Sequence, residues 1–163
     1  MSHSLLYATV ESRLHADLAV VRLKQAGIST DRISVLYGHA ARPNSAVCWL
    51  DGTSTVPLSA GGTAAVAGLL CHSLTSTGGH AQTLLLVDRL LRLGVTRDQG
   101  LNIEESLLEN RIVVAVEVDE AVDLPIILST FRELDAEKIH IADLNGKTRE
   151  AAHGSIRIPA RAA

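Results

Sequence analysis

A chain of 163 residues with 47% hydrophobic and 20% charged side chains is the size of one domain and has enough apolar material to bury a core. Its formal net charge of -3 gives no general attraction to phosphate backbones or anionic lipid, and an aromatic content of 2% (Tyr7, Tyr37, Trp49, Phe131) leaves few rings to stack on bases, so no nucleic-acid partner is expected. Two cysteines, Cys48 and Cys71, make neither a secreted disulfide framework nor a complete zinc site, and no apolar signal core follows a basic start, so the expectation is a cytoplasmic protein.

Residues 5–10 read as the first strand, short and apolar, and Ser12 stands where it can cap the helix that follows. In that helix, which runs to about Ala26, Leu14, Leu18 and Val21 fall at i, i+4 and i+7, with Ala19 and Leu23 widening the stripe. Gly27 supplies the left-handed residue that ends it. Residues 32–37 make a second strand with Ile33, Val35 and Tyr37 on one face.

Residues 39–46 read as loop and residues 47–50 as a short strand turning at Asp51 and Gly52. The run 59–70 is rich in Gly and Ala, which let another backbone approach closely. In the nearly uncharged run 52–80 the densest apolar part, 64–71, falls far below the roughly 18–20 residues that span a bilayer, so no integral membrane span is expected. Residues 82–93 suggest a helix, and Thr96 with Gln99 has the spacing of a capping box that opens another through Leu101, Ile103, Leu107 and Leu108.

Residues 112–118 form a valine-rich strand followed by acidic Asp119 and Glu120. The next helix carries Ile127, Phe131 and Leu134 at i, i+4 and i+7, and Pro125 forces it either to start late, near Asp123, or to bend. A last strand lies around residues 138–142. Residues 6–38 are thereby echoed by 114–146, with Val10 answering to Val118 and Leu23 to Phe131.

Two strand-helix-strand units sharing one sheet predict an α+β, ferredoxin-like βαββαβ sandwich: four antiparallel strands with both helices on one face. Two separate half-domains would each be too small to stand alone. The expected organisation is a single domain over residues 1–146, with a largely helical insertion at about 39–110 between the second and third core strands, and a flexible basic tail at 147–163. In that tail Ser155, Ile156, Arg157 and Ile158 alternate as a strand does, a pattern suited to adding to the sheet edge of a protein partner.

The strand ending in DRISVLYG, the small-residue insert with CWLDG and SAGGTAAVAGLL, and the stretch LGVTRDQGLNIEESLLENRIVVAVEVDE together resemble the bacterial general-stress or heat-induced stress protein family, over about residues 7–145. The most specific part is 93–120, a short capped helix, a valine-rich strand and an acidic turn. The resemblance implies a small ferredoxin-like protein with a Gly/Ala-rich insertion and a stress-associated role, and it implies no catalytic residues. The chain departs from the family pattern in an insert that is less glycine-rich and carries Cys71, His72 and His80, and in Pro125.

Few residues commit to chemistry. Cys71, His72 and His80, with Cys48, are soft metal ligands by type, but their spacing matches no standard site, and Cys71 reads more simply as a buried core residue. The SAGGTA stretch lacks the Lys-Ser/Thr of a P-loop, so its glycines speak for close packing. Glu117, Asp119, Glu120 and Asp123 are hard-cation ligands by type and equally a solvated strand end. No catalytic residue, cofactor or metal is assigned, and no enzyme is expected.

The stronger signal is a sheet face. Leu6, Ala8, Val10, Ile33, Val35, Tyr37, Ile112, Val114, Val116, Val118, Ile139 and Ile141 belong under the two repeat helices. On the other side, Leu5, Tyr7, Leu36, Val113 and Ala115 make an apolar patch of a few hundred Å2, the size that marks an interaction surface. The expected function is therefore that of a non-enzymatic, stress-associated protein acting by homo-oligomerisation or protein–protein contact through those five residues. The alternative is a small-ligand or metal-binding sensor with a pocket between sheet and insertion.

Overall fold

The computed structural model describes residues 4–38, 53–71, 85–119 and 123–143. The features expected at 39–52 (including Cys48 and the short strand 47–50), at 72–84 (including His72 and His80), at Glu120 and in the C-terminal tail lie outside the described residues.

Six strands, β1 (Ser4–Val10), β2 (Ile33–Gly38), β3 (Thr53–Pro57), β4 (Thr63–Gly68), β5 (Ile112–Val118) and β6 (Glu137–Asp143), form one antiparallel sheet in the order β3-β4-β2-β5-β1-β6. Helix α1 (Arg13–Gln25) joins β1 to β2, α2 (Leu86–Arg92) and α3 (Arg97–Leu108) precede β5, and α4 (Asp123–Glu133) joins β5 to β6. The valine-rich β5 is central, with Ala115 opposite Tyr7 of β1 on one side and Ser34 of β2 on the other.

Local chemistry explains the boundaries. The Ser12 hydroxyl accepts from the His15 amide at the start of α1, and Gly27, at φ 95°, lets the Ile28 amide turn back to the Leu23 carbonyl at 3.0 Å. The buried side of α1 is Ala16, Ala19, Val20 and Leu23, while Leu14 is 64% exposed. The inward stripe is thus rotated from the predicted one, with Leu18 and Val21 only partly buried at its flank. Helix α4 starts at Asp123, which puts Pro125 in its first turn, where the missing N–H has no intrahelical partner to lose. Ile127, Phe131 and Leu134 are buried as predicted.

The described part of the insertion holds strands as well as helices. Its hairpin β3-β4 pairs with β2 and widens the sheet from the expected four strands to six. Ala64 and Val66 face one layer while Ala65 and Ala67 face the other, a period of two that the abundance of small residues hides in the sequence. Leu6, Val10, Val35, Val114, Leu23 and Phe131 belong to the core between the sheet and helices α1 and α4. A second core on the opposite face joins the sheet to Leu58, Leu70, Leu86, Leu90, Val95, Ile103 and Leu107 of the insertion. Among the described residues no helix is long and apolar enough to cross a membrane.

Candidate functional site

Leu5, Tyr7, Leu36, Val113 and Ala115 do form one patch, but each is at most 2% exposed in the single chain. The expected interface is corrected to an internal one. Helices α2 and α3 bring Leu86, Leu90, Ile103 and Leu107 at helical spacing, and these apolar stripes need the same surface that the sheet needs covered.

The acidic turn is also spoken for. The Arg32 guanidinium donates to the Glu117 carbonyl at 2.7 and 3.1 Å and to Asp123 at 2.8 Å, with Asp119 at 3.5 Å, so a cation of the chain itself fills the place considered for a metal. The glycines of SAGGTA build the β3-β4 turn, Gly61 and Gly62 both having positive φ. The buried Glu104 carboxylate of α3 accepts there from the Ser59 amide at 3.0 Å and from the Ser59 hydroxyl. Cys71 is buried, and among the described residues no three His, Cys, Asp or Glu side chains gather to hold a metal. An open groove of about 630 Å3 separates α1 from α4; Thr130, buried in its lining, is satisfied by the Ile126 carbonyl.

What remains is the seam where β1 and β6 meet α3. Tyr7 and His140 are cross-strand partners with ring centroids 5.5 Å apart and planes inclined by 39°. The register then slips: Thr9 pairs with Glu137, leaving an extra residue on β6, and Lys138 there adopts φ 51°. Such a bulge on an edge strand re-aims side chains, and it delivers the Lys138 ammonium to the Ser106 hydroxyl of α3 at 3.3 Å. Ser106 also accepts from Thr9 at 3.3 Å and donates to the Asn102 carbonyl at 3.0 Å.

Two polar atoms in this otherwise ordered seam are unsatisfied: the Tyr7 hydroxyl and His140 Nδ1, both sealed from solvent and without a hydrogen-bond partner. An orphaned buried polar group costs about 1–3 kcal/mol. Burial pushes the Tyr7 phenol well above its ordinary range, so it stays protonated. Burial, and then the charge on Lys138, lowers His140, so the imidazole is neutral at pH 7. Among the described residues no carboxylate pairs with Lys138. The arrangement offers hydrogen bonds and one positive charge.

Of these residues only Tyr7 belongs to the patch singled out in the sequence; Thr9, Lys138 and His140 join it through the pairing of β1 with β6. Ser106 was missed, although a serine between Ile103 and Leu107 on an amphipathic helix was the available signal. Comparison of the chain with protein-family models, curated proteins and solved structures finds no match.

Proposed function

We propose that the chain is a non-enzymatic binding protein whose ligand is recognised at the Tyr7–His140–Lys138 seam between sheet and insertion. The observation that carries this reading is the pair of sealed, unsatisfied atoms, Tyr7 Oη and His140 Nδ1, beside an ammonium that pairs with no carboxylate among the described residues. A fold selected only for stability has no use for that combination, since Phe at position 7 would remove the cost. The scaffold is a ferredoxin-like core, with strand order β2-β5-β1-β6 and helices α1 and α4 on one face, extended at β2 by the inserted hairpin. The likeness of residues 93–120 to general-stress proteins supports a stress-associated role.

A thermal-shift screen of small polar molecules against wild type and Tyr7→Phe tests the reading. Compounds that raise the melting temperature of wild type and lose that effect in the variant are expected. Equal responses of the two proteins to every compound would refute it.

A second reading, self-association, is favoured by a different observation: Leu91, Leu101 and Leu108 on the outer side of the α2-α3 pair are 39%, 43% and 51% exposed. Light scattering should then show a dimer or larger species that Leu101→Glu with Leu108→Glu dissolves, and a monomer at micromolar concentration would dismiss it.

A further inference from the structure

The polar inventory of the seam is unbalanced in one direction. Ser106 spends its single proton on the Asn102 carbonyl, and Thr9 spends its own on Ser106. Lys138 has three N–H donors and uses one. The Tyr7 O–H is unused, and neutral His140 can place its proton on the unused Nδ1. The nearby acids are engaged elsewhere: Glu137 and Glu109 with Arg111, and Glu104 with Ser59. The rest of the buried side of α3 is Gln99, Gly100, Ile103 and Leu107, none of it anionic.

We propose that the seam is a site for a small oxyanion, a carboxylate or a phosphate, held by the Lys138 ammonium and by hydrogen bonds donated from Tyr7 Oη and His140 Nδ1. The proposal rests on the ligand-binding reading above and names the class of ligand. Tyr7 and His140 are cross-strand neighbours and the Lys138 charge acts on His140, so an oxyanion among them would take up the surplus donors and supply a countercharge that Lys138 does not find among the described residues; charge-assisted hydrogen bonds of this kind are about twice as strong as neutral ones. A cation is repelled by Lys138, and a neutral molecule leaves the charge uncompensated. The two orphan atoms are sealed, so entry requires β6 to yield. Among the described residues it is an edge strand paired only to β1, and its ladder is already interrupted at the bulge beside Lys138.

The test is calorimetric titration of the full chain with inorganic phosphate and, separately, with acetate, alongside a set of neutral polyols. Saturable binding of at least one of the two anions is expected, and the arm that binds tells phosphate from carboxylate. Lys138→Met, which keeps the aliphatic stem, should weaken that binding by about tenfold or more. Tyr7→Phe should weaken it severalfold while leaving the unliganded protein as stable as wild type or more so, because the hydroxyl it removes has no partner. Arg22→Met, which removes a cation on the far side of the sheet, should leave the affinity unchanged. Anion binding that survives both Lys138→Met and Tyr7→Phe, or no saturable binding of either anion, overturns the proposal. If a neutral polyol binds wild type and fails to bind Tyr7→Phe, the oxyanion is wrong and the seam still binds a ligand; if no compound distinguishes these two proteins, both readings fall.

Discussion

Gly68 stands so close to Ile33 that a β-carbon built on it would lie 2.1 Å from the Ile33 carbonyl oxygen. The same glycine has φ 92°, and just beyond it the Leu69 amide donates to that carbonyl at 3.2 Å while the Leu70 amide donates to the buried Ser34 hydroxyl at 2.8 Å. The inserted hairpin is thereby anchored at the start of β2. Gly68→Ala combines a backbone clash with a left-handed conformation and should cost about 2–4 kcal/mol. Gly61→Ala has open space around its β-carbon and only the conformational penalty, and should cost about 1 kcal/mol. Urea unfolding of the two variants measures the difference, and equal losses would mean that the contact with Ile33 is not what fixes the hairpin.

Arg32 links the start of β2 to the end of β5 and the first turn of α4. Its bonds run to a carbonyl and to Asp123 in a partly buried setting. Arg32→Met should cost about 2–3 kcal/mol, in the range of hydrogen bonds to charged groups. Arg32→Lys should recover less than half of that, because one ammonium cannot reproduce the fork that spans the Glu117 carbonyl and the Asp123 carboxylate. The check is the denaturation midpoint of each variant, with full recovery by lysine counting against the geometry.

These two residues also show where the sequence was legible. Period-two alternation in β1, β2 and β5, and the spacing of Ile127, Phe131 and Leu134, are properties of single elements, so the strands, the helix and the division of the sheet into two faces are visible without coordinates. The capping box at Thr96 and Gln99 is equally local, and both of its bonds are present at 3.2 Å. What covers the second face is decided by which distant segment competes for it, and no spacing records that α2 and α3 win. For the same reason the run 59–70 read only as small residues that let another backbone approach, and nothing local marked Arg32 as the link to Glu117 and Asp123. The candidate site was legible only as separate residues, because the bulge that turns Lys138 toward Ser106 arises from a register slip between β1 and β6.

Glu104 gives a test of the seat of the insertion. Its buried carboxylate gathers the Ser59 amide and hydroxyl, tying α3 to the β3-β4 turn. Glu104→Ala leaves those donors with no partner from α3 and should cost about 2–3 kcal/mol. Glu104→Gln retains one carbonyl acceptor and should cost about half as much. Amide exchange at Ser59 should quicken in the alanine variant, and an unchanged rate would show that the turn is held by its own Leu58–Gly62 hydrogen bond.

His140 predicts how stability depends on pH. Its folded-state value is lowered from 6.5 by burial and then by Lys138, so on acidification the unfolded chain takes up this proton before the folded chain does. Wherever the unfolded state binds more protons, stability rises with pH. The contribution of His140 is therefore fully present above 6.5, falls as the pH drops from 6.5 toward the lower folded-state value, and is constant below it. Melting temperature measured across this window should decline in wild type, and His140→Gln should flatten the decline, since the remaining histidines are common to both proteins. Lys138→Met should flatten it by a smaller amount, because removing the neighbouring charge leaves burial as the larger cause. If Lys138→Met flattened the curve as much as His140→Gln, the ammonium would be the main influence on the imidazole and the seam would be wetter than the structure shows.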